Sequence, residues 1–536
     1  MKTLYYGGDI VTMTGKEVYP EALLVSDGRI SYIGNKVQAE SIGGEEIKAV
    51  DLHGKTLFPA FIDGHGHISV AAQMVQAADL SECTSYSEII GRLKEFMNEN
   101  KVSENEVLVG FGYDHNFLKE AGHPAKDVLD QVSKEIPIYI SHISGHMGCA
   151  NSAAIRAAGI DSSTPNPDGG IIGRTDGSSE PNGYFEEAGM IEMQKFLTDR
   201  VHVDMDKGLE KAQHIYLKYG VTTVQDGASG SGAVRLMKEA CEKGAVKLDV
   251  VSYPVIGEED PSEIFKEYPA SCEQYNQHFK LGGYKAILDG SPQGKSAWLT
   301  SPYENSGEYC GYPWVSDETA EGFIIKALRD KKQILVHCNG DAAGDQYLKA
   351  YSKALEKVPE AKDLDLRPVM IHCQTVRDDQ LDQMKALGMI PSIFIGHVYY
   401  WGDVHLKNLG EKRGSRISPC KSAFDRGLAV NFHQDTPVTK PDMLHSVWTA
   451  VNRMTRDGKL LGAEQRIDVY HALKAVTINA AYAYHEEKMK GTLETGKLAD
   501  LIILEKNPLK ADKMELKDIR VLETIKEGKT LYKLSL

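Results

Sequence analysis

LFPAFIDGHGH, residues 57 to 67, is an apolar run that ends in two histidines one glycine apart, and the fold follows from reading it as a strand. A short apolar run closed by glycine and polar residues fits a strand buried on both faces, the kind that builds parallel sheets. Seven more runs share the pattern: GVTTVQDG (220 to 227), LDVVSYPV (248 to 255), GGYKAILDG (282 to 290), QILVHCNGD (333 to 341), RPVMIHC (367 to 373), MIPSIFIG (389 to 396) and LAVNFHQD (428 to 435). Most are separated by 20 to 50 residues with helical periodicity, such as AVRLMKEACEKG and AEGFIIKALRDKK. Eight strands alternating with helices predict an α/β chain closed as a (β/α)8 TIM-like barrel.

Two regions stand outside that alternation. The amino-terminal stretch carries LYYGGDIVTM and ALLVSDGRISYIG, and the carboxy-terminal one carries GTLETGKLADLIIL and VLETIKEGKTLY. Asp27-Gly28 and Glu527-Gly528 between apolar runs are hairpin signals. Residues 1–57 plus 490–536 are therefore expected to form a small β-sandwich domain in which both ends share one sheet. About 150 residues separate the first two barrel strands, too many for a loop, and they hold strand-like runs of their own, EVLVGFGY and IPIYISHIS. Residues 70–205 are read as an inserted domain covering the barrel mouth, leaving 58–69 plus 206–489 as the barrel.

Composition narrows the class of function. The chain has 536 residues, 42% hydrophobic and 26% charged, which excludes a disordered or collagen-like protein. With 61 Lys and Arg against 76 Asp and Glu, the net charge of −15 leaves no footprint for a phosphate backbone, so nucleic acid is not an expected partner. Eight scattered cysteines with no CxxC pair fit free thiols in a reducing cytoplasm. The amino terminus has no signal-peptide core and no run of about 18 apolar residues occurs, so no membrane partner is expected either. A small-molecule substrate is the expected partner, and a homo-oligomer stays open.

The strand ends carry the chemistry. His65 and His67, two apart on a strand, would face one side and reach one metal ion, or are two ordinary histidines. His337 and His372 each close an apolar run where barrel enzymes place working groups, the alternative being core histidines bonded to backbone. Asp435, ending the last run, needs a cation or strong donors if buried, or else caps the next loop. Lys285 lies mid-strand, where an unpaired ammonium is expensive. It should be neutral, paired with Asp289, or carbamylated by carbon dioxide into an anionic metal-bridging ligand. His433 shares a strand face with Asp435 and could support the site. His146 in SGHMG and His115 in GYDHN could bond a substrate oxygen or loop backbone. His397 would face the mouth from the seventh strand, beside Tyr399, Tyr400 and Trp401, which line a pocket or pack.

Ligands in this order on strands one, four, five, six and eight resemble those of the amidohydrolase superfamily. FPAFIDGHGH, GHMGCANSAAI, GVTTVQDG, GYKAILDGS, VHCNGD, IHCQ, HQDTPV, TINAAYAY and KGTLETGKLADLIIL together are similar to the branch called amidohydrolase family 3, which includes N-substituted formamide deformylase. The resemblance implies that His65 and His67 ligate one metal and His337 and His372 the other. Asp435 then ligates the first metal and shuttles protons, and Lys285, if carbamylated, bridges the two. One or two divalent ions are implied, zinc foremost, with iron, manganese and nickel also compatible with these ligand types. PNGYFEEAG resembles a family segment whose glutamate approaches the site, making Glu187 a bridging ligand, a substrate contact or a helix-surface carboxylate. The implied reaction is hydrolysis of a non-peptide C–N bond in an amide, formamide or cyclic amide, a metal-bound hydroxide attacking the carbonyl while Asp435 moves the proton. One alternative is a mononuclear heterocycle deaminase. Such enzymes are similar in carrying a glutamate three residues after the strand-five histidine, where this chain has Gly340. The other is a non-catalytic, metal-stabilised regulator.

Overall fold

In the computed structural model the described residues are 2–103, 106–167, 169–198, 200, 204–257, 260–272 and 274–535. The chain forms two compact units, Met1–Ser69 with Ala212–Leu536, and Val70–Lys211. In the larger unit two parallel sheets carry the predicted runs. One sheet orders Phe279–Leu281, Asp249–Pro254, Val221–Ser229 and Phe61–Ile62; the other orders Gly283–Ile287, Gln333–Cys338, Val369–His372, Ile390–Ile393 and Asn431–Phe432. A parallel bridge pairs Val255 with Lys285 at one edge. At the other, Gly64 N donates to Phe432 O and Asp435 N to His65 O, each at 3.2 Å. The strands are buried nearly throughout, as sheets covered on both faces require. Ile62, Leu335, Val369, Ile371 and Ile390 pack in one cluster with Ala480, Ala481 and Tyr484, the TINAAYAY segment.

Three expected strands differ in extent. Residues 57 to 67 are not one strand: Thr56–Pro59 pairs antiparallel with Leu501–Leu504, and only Phe61–Ile62 joins the parallel sheet. The chain changes partners at Ala60, whose N–H donates to Asp500 O while that of Phe61 donates to Gly220 O. Residues 282 to 290 hold only Gly283–Ile287, in the second sheet; Phe279–Leu281 just before it pairs in the first, the chain changing sheets at Gly282, where any Cβ would lie 2.3 Å from the Tyr253 ring. In residues 428 to 435 only Asn431–Phe432 pairs as strand.

Both expected hairpins form. Ala22–Ser26 and Arg29–Gly34 turn through Asp27 and Gly28, and Val521–Lys526 and Lys529–Lys533 through Glu527 and Gly528, with positive φ at both central residues in each case. That is the turn whose twist matches paired strands. Both ends contribute strands to one sheet, but the two hairpins lie in different sheets. The first hairpin belongs to a four-stranded sheet with Lys2–Tyr6 and Ile47–Asp51, and the second to a five-stranded sheet with Asp9–Ile10, Thr56–Pro59 and Leu501–Leu504. Tyr5, Leu23, Val25 and Ile30 from the first and Leu57, Leu501, Ile503 and Ile525 from the second form one buried cluster.

Val70–Lys211 is built on a six-stranded sheet ordered Gly170–Arg174, Pro181–Glu187, Met147–Ala150, Ile138–His142, Leu108–Tyr113 and Ala78–Asp79. Its Ile138–His142 and Leu108–Tyr113 strands run parallel. Among the described residues no helix is long and apolar enough to cross a membrane.

A buried ion network ties the terminal strands to the parallel sheet. Asp249, on a parallel strand, meets Lys526 at 2.8 Å and Lys490 at 2.5 Å; Lys526 also meets Asp500 at 3.1 Å, and Lys490 meets Glu486 at 3.0 Å. Removing one partner from such a network strands the others without compensation, at a cost of about 3–5 kcal/mol. Lys526→Met is accordingly expected to lose about that much stability by chemical denaturation. A variant within about 0.5 kcal/mol of the parent would show the network to be energetically neutral.

Candidate metal centre

The loop after Phe61–Ile62 delivers the two histidines, and it does so without strand alternation. The chain has left the strand by Asp63, and His65 and His67 are placed by hydrogen bonds: His67 N donates to Thr436 O at 2.8 Å and His65 N to Asp63 Oδ1 at 3.4 Å. Asp226 anchors the loop, accepting from Ser69 N at 3.0 Å, Ser69 Oγ at 2.6 Å and Ser229 Oγ at 2.6 Å. The two rings sit edge to face, centroids 4.9 Å apart. Asp435 Oδ1 lies 3.2 Å from His67 Nε2 and 3.5 Å from His65 Nε2. His65, His372 and Asp435 present ligand atoms within 4.8 Å of one another. His337 joins them, its ring centroid 4.5 Å from that of His372.

Each of the four histidines is held through Nδ1. His65 Nδ1–H donates to Gln225 Oε1. The orientation of that amide is set from its other side: Gln225 Nε2 donates to the Tyr484 hydroxyl at 3.1 Å, which donates to Asp63 O at 2.7 Å. His67 Nδ1–H donates to Gly227 O at 2.7 Å, and His337 Nδ1–H to Asp289 Oδ1 at 3.1 Å. His372 Nδ1–H donates to His433 Nε2 at 3.1 Å. His433 passes the chain on from Nδ1 to Ser392 Oγ at 2.9 Å, whose hydroxyl donates to Asn431 Oδ1 at 2.7 Å. A neutral imidazole bound as a donor at Nδ1 carries its lone pair on Nε2, the tautomer that a metal ligand needs. Protein donors already meet two of these inward nitrogens, Lys285 Nζ at 3.2 Å from His65 Nε2 and Asn339 Nδ2 at 3.3 Å from His337 Nε2.

Electrostatics favour the same protonation states at His65 and His372, whereas at His67 burial is outweighed by the hydrogen bond to Asp435 and its charge, which raise the imidazole above its usual range. Burial pushes the imidazoles of His65 and His372 well below the usual range, reinforced by the neighbouring Lys285 and His337 respectively. Burial alone would raise the Asp435 carboxyl, but the hydrogen bond from His67 and the surrounding imidazoles hold it well below the usual carboxylate range. Burial brings Lys285 down to about 8. Lys285 has no ion-pair partner among the described residues. The expected alternative of a pair with Asp289 does not form, since that carboxylate accepts from His337, Asn339 N at 3.0 Å, Gly340 N at 2.7 Å and Trp298 N at 3.1 Å. His372 and Asp435 both adopt left-handed φ, +76° and +53°, conformations that cost about 1 kcal/mol or more for a residue with a side chain and persist where the surroundings over-determine them. The inward lone pairs of His65, His337 and His372, His67 beside the Asp435 carboxylate, and the buried Lys285 amine fit a divalent metal ion by donor chemistry.

His397 is not on a strand: it opens the short helix His397–Tyr400, buried, with Nδ1 3.1 Å from His405 Nε2. Trp401 is buried and packs against Phe394 and His397. His146, His115 and Glu187 belong to Val70–Lys211. Glu187 ends a strand rather than lying on a helix surface, with φ +48°, and its Oε2 accepts from His146 Nδ1–H at 2.9 Å. Gln225 and Asp289 orient two of the histidines; the sequence offers no sign of Gln225 and offers Asp289 only as a partner for Lys285.

The amidohydrolase family model matches residues 48–532. N-substituted formamide deformylase of Arthrobacter pascens is 26% identical over 98% of this chain and 97% of its own. The protein LONG AFTER FAR-RED 3 of Arabidopsis thaliana is 28% identical over 99% of this chain and 91% of its own. A crystal structure of an uncharacterized metal-dependent hydrolase from Pyrococcus horikoshii superposes with a TM-score of 0.76 at 24% identity, covering 96% of this chain and 99% of that one.

Gln225 gives the cleanest test of the outward bonds, because it touches the ligand ring and offers the metal nothing itself. Gln225→Leu is expected to weaken metal binding by about 10–100-fold in competition with a chromophoric chelator, as loss of a supporting hydrogen bond does elsewhere. Unchanged affinity would mean that His65 needs no such support.

Proposed function

The chain belongs to the amidohydrolase family, and on that premise we propose that it hydrolyses a non-peptide C–N bond, in an amide, a formamide or a cyclic amide, on a (β/α)8 barrel whose two halves are the parallel sheets. The observation that carries this reading is the convergence of Nδ1-anchored His65, His67 and His372 on Asp435, with Nδ1-anchored His337 beside His372. His65 and His67 would hold one ion with Asp435, and His337 and His372 a second. Lys285 would bridge them as a carbamate, since an amine brought down to about 8 keeps a substantial neutral fraction for reaction with carbon dioxide. Zinc suits this donor set best. The chemistry such an ion supplies is polarisation of a carbonyl oxygen and a coordinated water of pKa about 7.

Asp435 moves the proton. Its carboxyl is ionised at neutral pH, with Oδ1 facing both His65 and His67. It takes a proton from the attacking water as the C–O bond forms and gives it to the nitrogen as the C–N bond breaks, so that an acid and an amine leave. The formamide deformylase relative supports a formamide among the substrates to try first. Deamination is disfavoured by the fold as well as by residue type. A Cβ at Gly340 would stand 1.8 Å from Trp298 O, so a glutamate there cannot be accommodated without moving that backbone.

The test is turnover on an N-alkylformamide, an acetamide and a cyclic amide, with Asp435→Asn as control. The variant is expected to lose about 10²–10⁴-fold in kcat on whichever amide the parent cleaves, the usual contribution of a positioned acid–base group. Full turnover by Asp435→Asn would remove the residue from the role given to it. No turnover by metal-replete parent on any amide would favour the regulator reading.

A further inference from the structure

Beside the metal centre, three buried side-chain oxygens have no hydrogen-bond partner among the described residues: Ser291 Oγ, Gln293 Oε1 and Asn339 Oδ1. All three residues are more than nine-tenths buried. They lie on the loops that follow two neighbouring parallel strands, Gly283–Ile287 and Gln333–Cys338, and Asn339 Nδ2 ties those loops together by donating to Gly290 O at 2.9 Å. The loop that holds Ser291 and Gln293 is fixed by its own bonds: Ser291 N donates to Ser296 Oγ at 3.0 Å, and Asn408 Nδ2 to Pro292 O at 3.2 Å. A buried polar atom left unpaired forfeits its hydration without return, so native interiors seldom keep several on adjoining loops unless a ligand or water meets them.

Asn339 is the most fully determined of the three. Its backbone N–H donates to Asp289 Oδ1 at 3.0 Å, and its carbonyl accepts from Thr375 N at 3.1 Å and Thr375 Oγ1 at 2.8 Å. Its Nδ2 faces two acceptors, Gly290 O and, at 3.3 Å, His337 Nε2, whose ring carries its proton on the Nδ1 bound to Asp289. Turning the carboxamide over would set Oδ1 against both acceptors, so its orientation follows from its neighbours. Oδ1 is then the unmet atom of the residue, on a small planar group whose other end touches the inward nitrogen of His337. Resting on the reading that an amide is cleaved at this centre, we propose that Asn339 Oδ1 accepts the N–H of that amide. The substrate class is thereby narrowed to amides that keep a hydrogen on nitrogen: primary, N-monosubstituted or cyclic with a free N–H. An N,N-disubstituted amide offers only carbon to Oδ1 and leaves it unpaired, the circumstance in which a site rejects an analogue most strongly.

Binding tests this without requiring that the amide be cleaved. N-propylformamide and N-ethyl-N-methylformamide are isomers, matched in size and composition and differing in the N–H. Titrated by NMR into the full-length protein loaded with zinc, the first is expected to bind about 10–100-fold more tightly, the penalty of leaving one buried acceptor unpaired. In Asn339→Ala the two isomers should bind equally, a loss of selectivity that general loosening of the loop would not produce. If that variant does not fold, the preference of the parent decides. Equal affinity for the isomers in the parent, binding of neither, or a preference that survives in Asn339→Ala would overturn the proposal. The expected preference without turnover of either isomer would count against hydrolysis and still support Asn339 as the acceptor of the amide N–H.

Discussion

Four hydrogen bonds that point away from the centre decide what the centre can do. Imidazole has one proton to place when neutral, and the acceptors Gln225, Gly227, Asp289 and His433 each claim it at Nδ1. The lone pairs of His65, His337 and His372 are thereby left on the inward nitrogens, while His67 Nε2 meets Asp435. Swapping any acceptor for a donor would reverse the tautomer and turn an N–H toward the ion, so the identity of residues behind the histidines matters as much as that of the histidines.

Those acceptors come from distant parts of the chain, which explains why elements remote from the site are needed to build it. Gln225 is oriented by Tyr484, on the segment that follows the last parallel strand by about 50 residues. Asp289 serves His337 while also accepting from the backbone of Trp298, Asn339 and Gly340, so a single carboxylate fixes both a ligand and the loop beside it. The terminal strands contribute through the charge network around Asp249, which holds them to a strand of the same parallel sheet that carries Gln225.

The sequence displays the strand ends plainly and the outward bonds hardly at all. His337 and His372 were legible because an apolar run followed by a histidine has few other readings in an α/β chain. Gln225 and Asp289 were not, because a polar residue at a strand end carries no local mark of what it will accept from. The expected Lys285–Asp289 pair failed for a geometric reason: residues four apart are neighbours on a helix but about 13 Å apart along a strand. The break at Ala60 was hidden because Thr56–Pro59 and Phe61–Ile62 are equally apolar, and only their partners distinguish them. Loop bonds to Asp63 and Thr436, invisible to periodicity, bring His65 and His67 to one carboxylate.

The most direct measurement is the metal content of the protein purified without chelators or immobilised nickel, compared with His65→Ala/His67→Ala prepared identically. If the inward nitrogens hold a divalent ion, the parent carries metal and the variant loses at least one equivalent while keeping its fold by circular dichroism. Equal metal content in the two folded proteins would contradict the assignment of this centre.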